Sequence, residues 1–278
     1  MKEIRLVADS SADVRSAGDH EIFVAPLKIS TKDMSFTDDE ALDVGAMVDH
    51  LSKYKGRSGT SCPNTEDWIA AFGGAERVIV CTITSNLSGS YNSACLAKAE
   101  YEAGDPERRV YVIDSLSTGP ECALILRKLS ELIDEGLEYE EIIDVINEYK
   151  ASTGLLFMLK SMNNLANNGR VSHLAASVAK VIGISAIGKA SDVGTLEMLH
   201  KCLGEARALA TMFSELKEAG LRCGRVSIAH CQNEAAANKL SDMILKELPD
   251  CEVEIHTLGG LCSFYAERGG LLVGFEKR

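Results

Sequence analysis

Hydroxyl side chains crowd one short segment of the sequence, residues 84–99. Its letters, TSNLSGSYNSACLAKA, follow an apolar run and lead into an alanine-rich helix, and they include the hydroxyls of Thr84, Ser85, Ser88, Ser90 and Ser93. A single serine is enough to cap a helix. Several hydroxyls together can also bind an anion, because each O–H group donates a hydrogen bond. The segment therefore indicates either ordinary loop chemistry or a binding site for an oxyanion.

Three further loops carry the same chemistry, with the letters ADSSAD (8–13), GTSCPN (59–64) and DSLSTG (114–119). Apolar, β-branched runs are found at IRLVA (4–8), RVIVCTI (77–83) and RVYVIDS (109–115). Such runs are typical of parallel strands that are covered on both faces. Ligands bind outside the carboxyl ends of parallel strands, where helix N-termini present free N–H groups. We therefore expect the four loops to converge on one oxyanion site.

The elements around these loops predict an α/β fold with two domains. The first, residues 1–160, alternates strands with helices and is expected to form a mostly parallel, three-layer sheet domain. The second, residues 161–278, is expected to be an α+β domain, with the ligand in the cleft between the two. Its predicted elements are a hairpin over 182–199, helices near 204–219 and 233–247, and strands at 224–231 and 251–258.

Composition excludes several classes of protein. Lys and Arg number 29 against 41 Asp and Glu, and the net charge of −12 disfavours binding to nucleic acid. No apolar stretch is long enough for stable membrane insertion, and the start MKEIRLVAD lacks the pattern of a secretory leader, so we expect a cytoplasmic protein. The nine cysteines contain no C-x-x-C pair, so neither a disulfide framework nor a metal site is expected.

Catalytic patterns are weak. NLSGS lacks the first glycine of a nucleophile elbow, and neither a P-loop nor a dinucleotide fingerprint occurs. His230 is the best candidate for a general base, although a structural role is the more common one for such a histidine. A hydrolase that uses Ser88 or Ser61 with His230 is therefore one alternative. Asp9 and Asp114 follow strands and could tether the loops or serve as bases, and tethering is the more common role for such residues.

The loops also carry a resemblance. VADSSAD, GTSCPN, SNLSGSYNSACLA, VIDSLSTG and NNGRVSHLA occur in the order and at roughly the spacing seen in the DegV family of bacterial fatty-acid-binding proteins. The resemblance spans essentially the whole chain. It implies a carrier without catalytic residues or cofactor that holds one long-chain fatty acid, with the carboxylate at the polar loops and the acyl chain buried. It also implies presentation of that acid to a separate fatty acid kinase. A lipid-responsive regulatory protein is the other alternative.

The resemblance assigns roles to six residues. Thr60 and Ser61 of TSCP, with Ser88 and the Gly89 amide of LSGS, are expected to hold the carboxylate. Arg170 of GRVS is expected to shape the entrance or stabilise the loops. Tyr265 of LCSFYAERGG falls where relatives place a histidine over the carboxylate.

The chain departs from the family pattern at other positions. Cys62 replaces the glutamine of T-S-Q-P, and Ser90 replaces the threonine of L-S-G-T. Leu203 of CLGEARAL stands where relatives carry the arginine of a V-R-G motif. Recognition by the usual kinase is therefore left open at Leu203 and Tyr265. The apolar runs 155–159 and 178–187 could line an acyl cavity, but their pattern favours ordinary core.

Overall fold

The computed structural model describes residues 3–171 and 183–278 of the chain. Its strands are β1 (Ile4–Asp9), β2 (Ser16–Ala17), β3 (His20–Ala25), β4 (Lys28–Ser30), β5 (Ser35–Thr37), β6 (Gly59–Ser61), β7 (Arg77–Thr82), β8 (Arg109–Asp114), β9 (Thr153–Leu159), β10 (Ile184–Ala190), β11 (Leu196–Leu203), β12 (Gly224–His230), β13 (Cys251–Thr257) and β14 (Leu271–Glu276). Its helices are α1 (Val44–Lys53), α2 (Thr65–Phe72), α3 (Ser90–Ala103), α4 (Pro120–Asp134), α5 (Tyr139–Ala151), α6 (Asn163–Asn167), α7 (Glu205–Glu218), α8 (Glu234–Glu247) and α9 (Gly260–Ala266). No helix within these ranges combines the length and the apolar character needed to cross a membrane.

The first sheet confirms the predicted three-layer arrangement. Its strand order is β2-β3-β1-β7-β8, and β3, β1, β7 and β8 run parallel. Successive residues of β1 face opposite sides: Leu6 packs with residues of α4 and α5, whereas Val7 packs with residues of α2 and α3. Burial on both faces explains why these strands lack polar alternation.

The second sheet contains six strands in the order β11-β10-β9-β14-β12-β13. Strands β12 and β13 are parallel, and the other neighbours are antiparallel. The β10–β11 hairpin and the helices and strands after it form where they were predicted, although Ile182 of that prediction lies outside the described residues. Helices α7 and α8 cover one face of this sheet, and its other face is directed toward the loops of the first sheet.

The pairing of strand β9 concerns the predicted boundary between the two domains. The strand ends at Leu159, within the predicted first domain of residues 1–160, yet it pairs with β10 and β14 in the second sheet. The division into 1–160 and 161–278 stays a prediction, and the strand pairing favours a boundary between α5 and β9.

A third, small sheet was not predicted. Strand β4 pairs antiparallel with β5 and with β6, and Ile29 stands opposite Thr60 in that pairing. Each strand has only three residues, which is too short for an alternating pattern to emerge from the sequence. The sheet matters because it carries Thr60.

The two large sheets meet where α4 begins. A Cβ atom at Gly274 of β14 would lie 2.6 Å from the backbone nitrogen of Glu121 and 2.7 Å from the carbonyl oxygen of Pro120. No side chain fits between these backbones, so glycine allows the first turn of α4 to pack directly on the second sheet.

Candidate functional site

A cavity lies between the loops of the first sheet and the inner face of the second. Its wall is mostly apolar and is formed by the loops that follow strands of the first sheet, by β6, by strands of the second sheet, by α6 and by α9. The lining residues are Leu27, Thr60, Ile83, Leu87, Ser88, Thr118, Leu155, Phe157, Leu159, Leu165, Arg170, Leu196, Leu261, Cys262, Tyr265, Ala266 and Leu272. The sequence favoured ordinary core for residues 155–159. All five residues belong to the hydrophobic core, and Leu155, Phe157 and Leu159 also line the cavity. The part of the run 178–187 before residue 183 lies outside the described residues.

Thr60 and Tyr265 form one polar contact in this wall. The hydroxyl oxygens of the two residues lie 2.7 Å apart, although 205 positions separate them in the sequence. Burial raises the pKa of the Tyr265 phenol, while Thr60 and the nearby charge of Arg170 oppose this change. Tyr265 is therefore a neutral hydroxyl at neutral pH, able to donate one hydrogen bond.

Arg170 joins two loops of the site. Its Nε donates to the carbonyl oxygen of Leu87 at 3.0 Å, and its Nη1 donates to the carbonyl oxygen of Asn168 at 2.5 Å. The guanidinium thus holds the loop after β7 against the loop after α6. The remaining serine of the GRVS motif, Ser172, lies outside the described residues.

Ser88 lines the cavity directly after Leu87. Its backbone N–H donates to the carbonyl oxygen of Thr84 at 3.3 Å, and its Oγ accepts a 3.3 Å bond from the backbone N–H of Ser90. A hydroxyl that accepts one bond still has its own hydrogen to donate. Ser88 is therefore oriented by the turn in which it lies and is available to an anion in the cavity.

The other two predicted ligands lie beside the cavity rather than in its lining. Ser61 is exposed, because it follows Thr60 on β6 and neighbouring residues of a strand point to opposite faces. Gly89 precedes the first turn of α3, and a Cβ atom there would lie 3.3 Å from Sγ of Cys62. The structure thus brings Thr60, Ser88, Arg170 and Tyr265 to one cavity. The binding roles assigned to all six residues, including Ser61 and Gly89, stay predictions.

Much of the hydroxyl chemistry serves a buried carboxylate. Asp9 is 1% exposed and accepts hydrogen bonds from the backbone N–H and Oγ of Ser11, from Oγ of Ser90 and from the backbone N–H of Ile83. Burial raises the pKa of Asp9, and these hydrogen bonds oppose the rise. Asp114 accepts from the backbone of Ser85 and of Leu116 in the same way. These contacts agree with the tethering role predicted for Asp9 and Asp114.

Asp38 positions the helix that carries Tyr265. Its two carboxylate oxygens accept from the backbone N–H groups of Gly260, at 2.8 Å, and Leu261, at 3.0 Å. These are free donors in the first turn of α9. Asp38 could not be identified from the sequence, because 222 positions separate it from Gly260. Its only sequence signal was the TDDE segment before α1, which reads equally well as a helix cap.

Asp13 lies beside Asp38 and was also missed. Both of its carboxyl oxygens are buried, and neither reaches hydrogen-bond geometry with a partner in the described part of the chain. Burial raises the pKa of Asp13 well above its usual range, and the nearby carboxylate of Asp38 raises it further. The neighbouring groups of Cys262 and Gly259 oppose this rise only in part, because their contacts fall short of hydrogen-bond geometry. The backbone at Asp13 is left-handed, with φ of 59°. Burial therefore favours the protonated form of Asp13, which lies close to Cys262 of the cavity wall.

The predicted catalytic alternative is not assembled in the described residues. His230 ends β12 and does not line the cavity, and the hydrogen bond described for its ring is a 3.4 Å contact from the backbone N–H of Asn233. Burial lowers the pKa of His230. Within residues 3–171 and 183–278, no cluster of three His, Cys, Asp or Glu side chains could hold a metal ion.

Known proteins resemble this chain along its whole length. The model of the DegV family matches residues 3–278. A DegV domain-containing protein of Streptococcus pneumoniae is 41% identical over 276 residues, which cover 98% of each chain. Two solved structures each have a TM-score of 0.97. One is a DegV family protein of Eubacterium eligens loaded with heptadecanoic acid (45% identity; 99% of this chain and 100% of that one), and the other is the S. pneumoniae Fatty Acid Kinase (Fak) B3 protein loaded with linoleic acid (40% identity; 100% of both chains).

The pKa of Asp13 predicts a dependence of stability on pH. An unfolded aspartic acid loses its proton near pH of about 4. Because the folded-state pKa is higher, the unfolded chain releases this proton first as the pH rises, and the free energy of unfolding falls until the pH passes the raised pKa. Below the unfolded pKa this penalty is absent.

We expect Asp13→Asn to remove that part of the pH dependence, since asparagine is neutral throughout and tolerates the left-handed backbone. Urea unfolding of both proteins at about pH 5 and about pH 7 measures the effect. The free energy of unfolding should fall less in the variant than in the wild type. An equal fall in the two proteins would show that Asp13 does not titrate as its burial implies.

Proposed function

The chain belongs to the DegV family, and on that basis we propose that it is a carrier that binds one long-chain fatty acid non-covalently and catalyses no reaction itself. The observation that carries the proposal is the apolar cavity with Thr60, Ser88, Arg170 and Tyr265 in its wall. Relatives crystallised with heptadecanoic and linoleic acid support it. No cofactor or metal is required for this role.

The apolar wall accounts for affinity. An acyl chain of about fifteen methylenes, each contributing about 0.8 kcal/mol on burial, has about 12 kcal/mol of transfer free energy before the costs of binding are subtracted. The wall offers leucines from the loops of the first sheet, from the strands of the second sheet and from α6 and α9 to this acyl chain. Tight binding therefore needs few polar contacts, and these few can serve to orient the acid.

The polar groups would hold the carboxylate. Thr60, Ser88 and Tyr265 supply hydroxyls, and Arg170 supplies a positive charge near Tyr265 while it fixes Leu87. Hydrogen bonds from neutral donors stabilise a carboxylate without enclosing it in a closed ion pair. The Gly89 amide and Ser61 would be further ligands, with Ser61 acting through its backbone because its side chain is exposed.

We further propose that the bound acid is presented to a separate fatty acid kinase, a role suggested by the name of the S. pneumoniae relative. This partnership would place the protein in the cytoplasm with the kinase. Leu203, which stands where relatives carry an arginine, is 68% exposed at the end of β11. Its position on the surface fits a residue that modifies recognition by the kinase rather than binding of the acid.

Mass spectrometry of lipid extracted from the purified protein tests the proposal. We expect a fatty acid at about one per chain, because the apolar wall is unfavourable when it is exposed to water. Protein that is folded, empty and unable to take up any added fatty acid would contradict it.

Loss of a hydroxyl tests the carboxylate contacts. Ser88→Ala should weaken fatty-acid binding by about 1.5 to 3 kcal/mol, the usual contribution of a hydrogen bond to a charged group. Ser61→Ala removes the same group from an exposed side chain and should have a smaller effect. Displacement of a fluorescent fatty acid measures both variants. If Ser61→Ala matches Ser88→Ala, the Ser61 side chain is a ligand as the resemblance implied.

Tyr265 predicts how binding depends on pH. Because burial raises the pKa of the phenol, the contribution of Tyr265 should be constant from about pH 6 to 8. Tyr265→Phe should weaken binding by about 1 kcal/mol for one lost hydrogen bond. Tyr265→His should make binding tighter toward the acid end, where the ring gains a proton. Calorimetry across this range measures all three proteins, and indifference to both substitutions would place Tyr265 outside the site.

A further inference from the structure

The strand register arranges the cavity wall in rows across the second sheet. One row contains Met198, Gly188, Phe157 and Leu272, which stand opposite one another in successive pairings. The adjacent row contains two pairs, Leu196 with Ala190 and Leu155 with Gly274. Residues two apart on a strand face the same side, so both rows face the cavity. The row of Leu155 is the last one in the cavity wall, because the next residue of β9 on that face is Thr153, which does not line it.

A second cleft begins on the far side of Leu155. It is lined by Leu155 itself, by Ala190, and by the charged residues Glu121, Lys150, Asp192 and Lys277. In the described part of the chain, Leu155 is the residue shared by the two linings. Its side chain is 2% exposed. A single leucine therefore separates an apolar cavity from a charged cleft.

The rest of the last row leaves Leu155 as the adjustable part of this wall. On one side, Gly274 is held against the backbone of Pro120 and Glu121, where no side chain can be added. On the other side, Ala190 has only a methyl group. Displacing the backbone of α4 would disturb the packing between the sheets, whereas a change of side chain at position 155 alters the wall and leaves the backbone of α4 in place.

We propose that Leu155 ends the acyl cavity and sets the longest fatty acid that the protein accepts. This inference rests on the proposed function. Each methylene buried in the cavity tightens binding about four-fold. Once the methyl end of the acid reaches Leu155, a further methylene must displace the leucine or enter the charged cleft. Affinity therefore stops increasing with the length of the acid.

The test measures affinity along a series of saturated fatty acids from about 12 to about 20 carbons, where each added methylene should give its four-fold gain until the wall is reached. Protein freed of bound lipid is titrated by displacement of a fluorescent fatty acid. Leu155→Ala removes three carbon atoms from the wall, so the length of tightest binding should increase by about two to three carbons. Leu155→Phe should shorten it, and Leu155→Val should lengthen it slightly while disturbing the fold least.

Leu165→Ala is the matched control, because Leu165 lines the cavity on α6 and does not line the second cleft. Leu165→Ala should lower the affinity for fatty acids of every length by a similar factor, and the length that binds most tightly should stay the same. The proposal is overturned if Leu155→Val and Leu155→Phe keep the wild-type preference, or if Leu165→Ala shifts it equally. Failure of the proposed function looks different, since the wild type would then bind no acid in the series.

Discussion

The polar loops beside the cavity depend on one buried carboxylate, that of Asp9. A charge in a protein interior is tolerated only when hydrogen bonds replace water, and Asp9 receives four of them from Ser11, Ile83 and Ser90. These donors belong to the loops after β1 and β7 and to the start of α3. Oδ1 accepts both bonds from Ser11, and Oδ2 accepts one from Ile83 and one from Ser90. Moving any of these residues would remove at least one of the bonds that replace water, so the loops are fixed relative to each other before any ligand arrives.

The same arrangement recurs at Asp38, which fixes α9 and thereby brings Tyr265 to Thr60. The hydroxyl side chains on this side of the molecule thus form two groups. Ser11 and Ser90 maintain the scaffold, whereas Thr60, Ser88 and Tyr265 face the cavity. Because the polar end of the cavity is already ordered, ligand binding does not include the entropic cost of ordering it. The affinity then comes from the apolar part of the cavity.

The sequence was sufficient to predict the strands and helices that a local pattern of residues specifies. Buried runs such as 77–83 have the length and composition of parallel strands, and the hairpin near 184–203 is marked by its glycines. The three-residue strands around Ile29 and Thr60 were missed, because so short a segment has no periodicity. At the site, Thr60 and Ser88 follow from motifs, whereas Asp13 and Asp38 gain their roles only through contacts with α9, more than 200 positions away.

The position of β14 has a consequence for synthesis of the protein. This strand lies between β9 and β12, yet it is made after both of them. During synthesis, the edges of β9 and β12 that pair with β14 therefore remain unpaired, and the apolar face of the sheet remains exposed, until β14 leaves the ribosome. The first sheet, whose strands all precede residue 115, can form much earlier. Folding of the nascent chain is thus ordered from one sheet to the other, and the lipid compartment closes last.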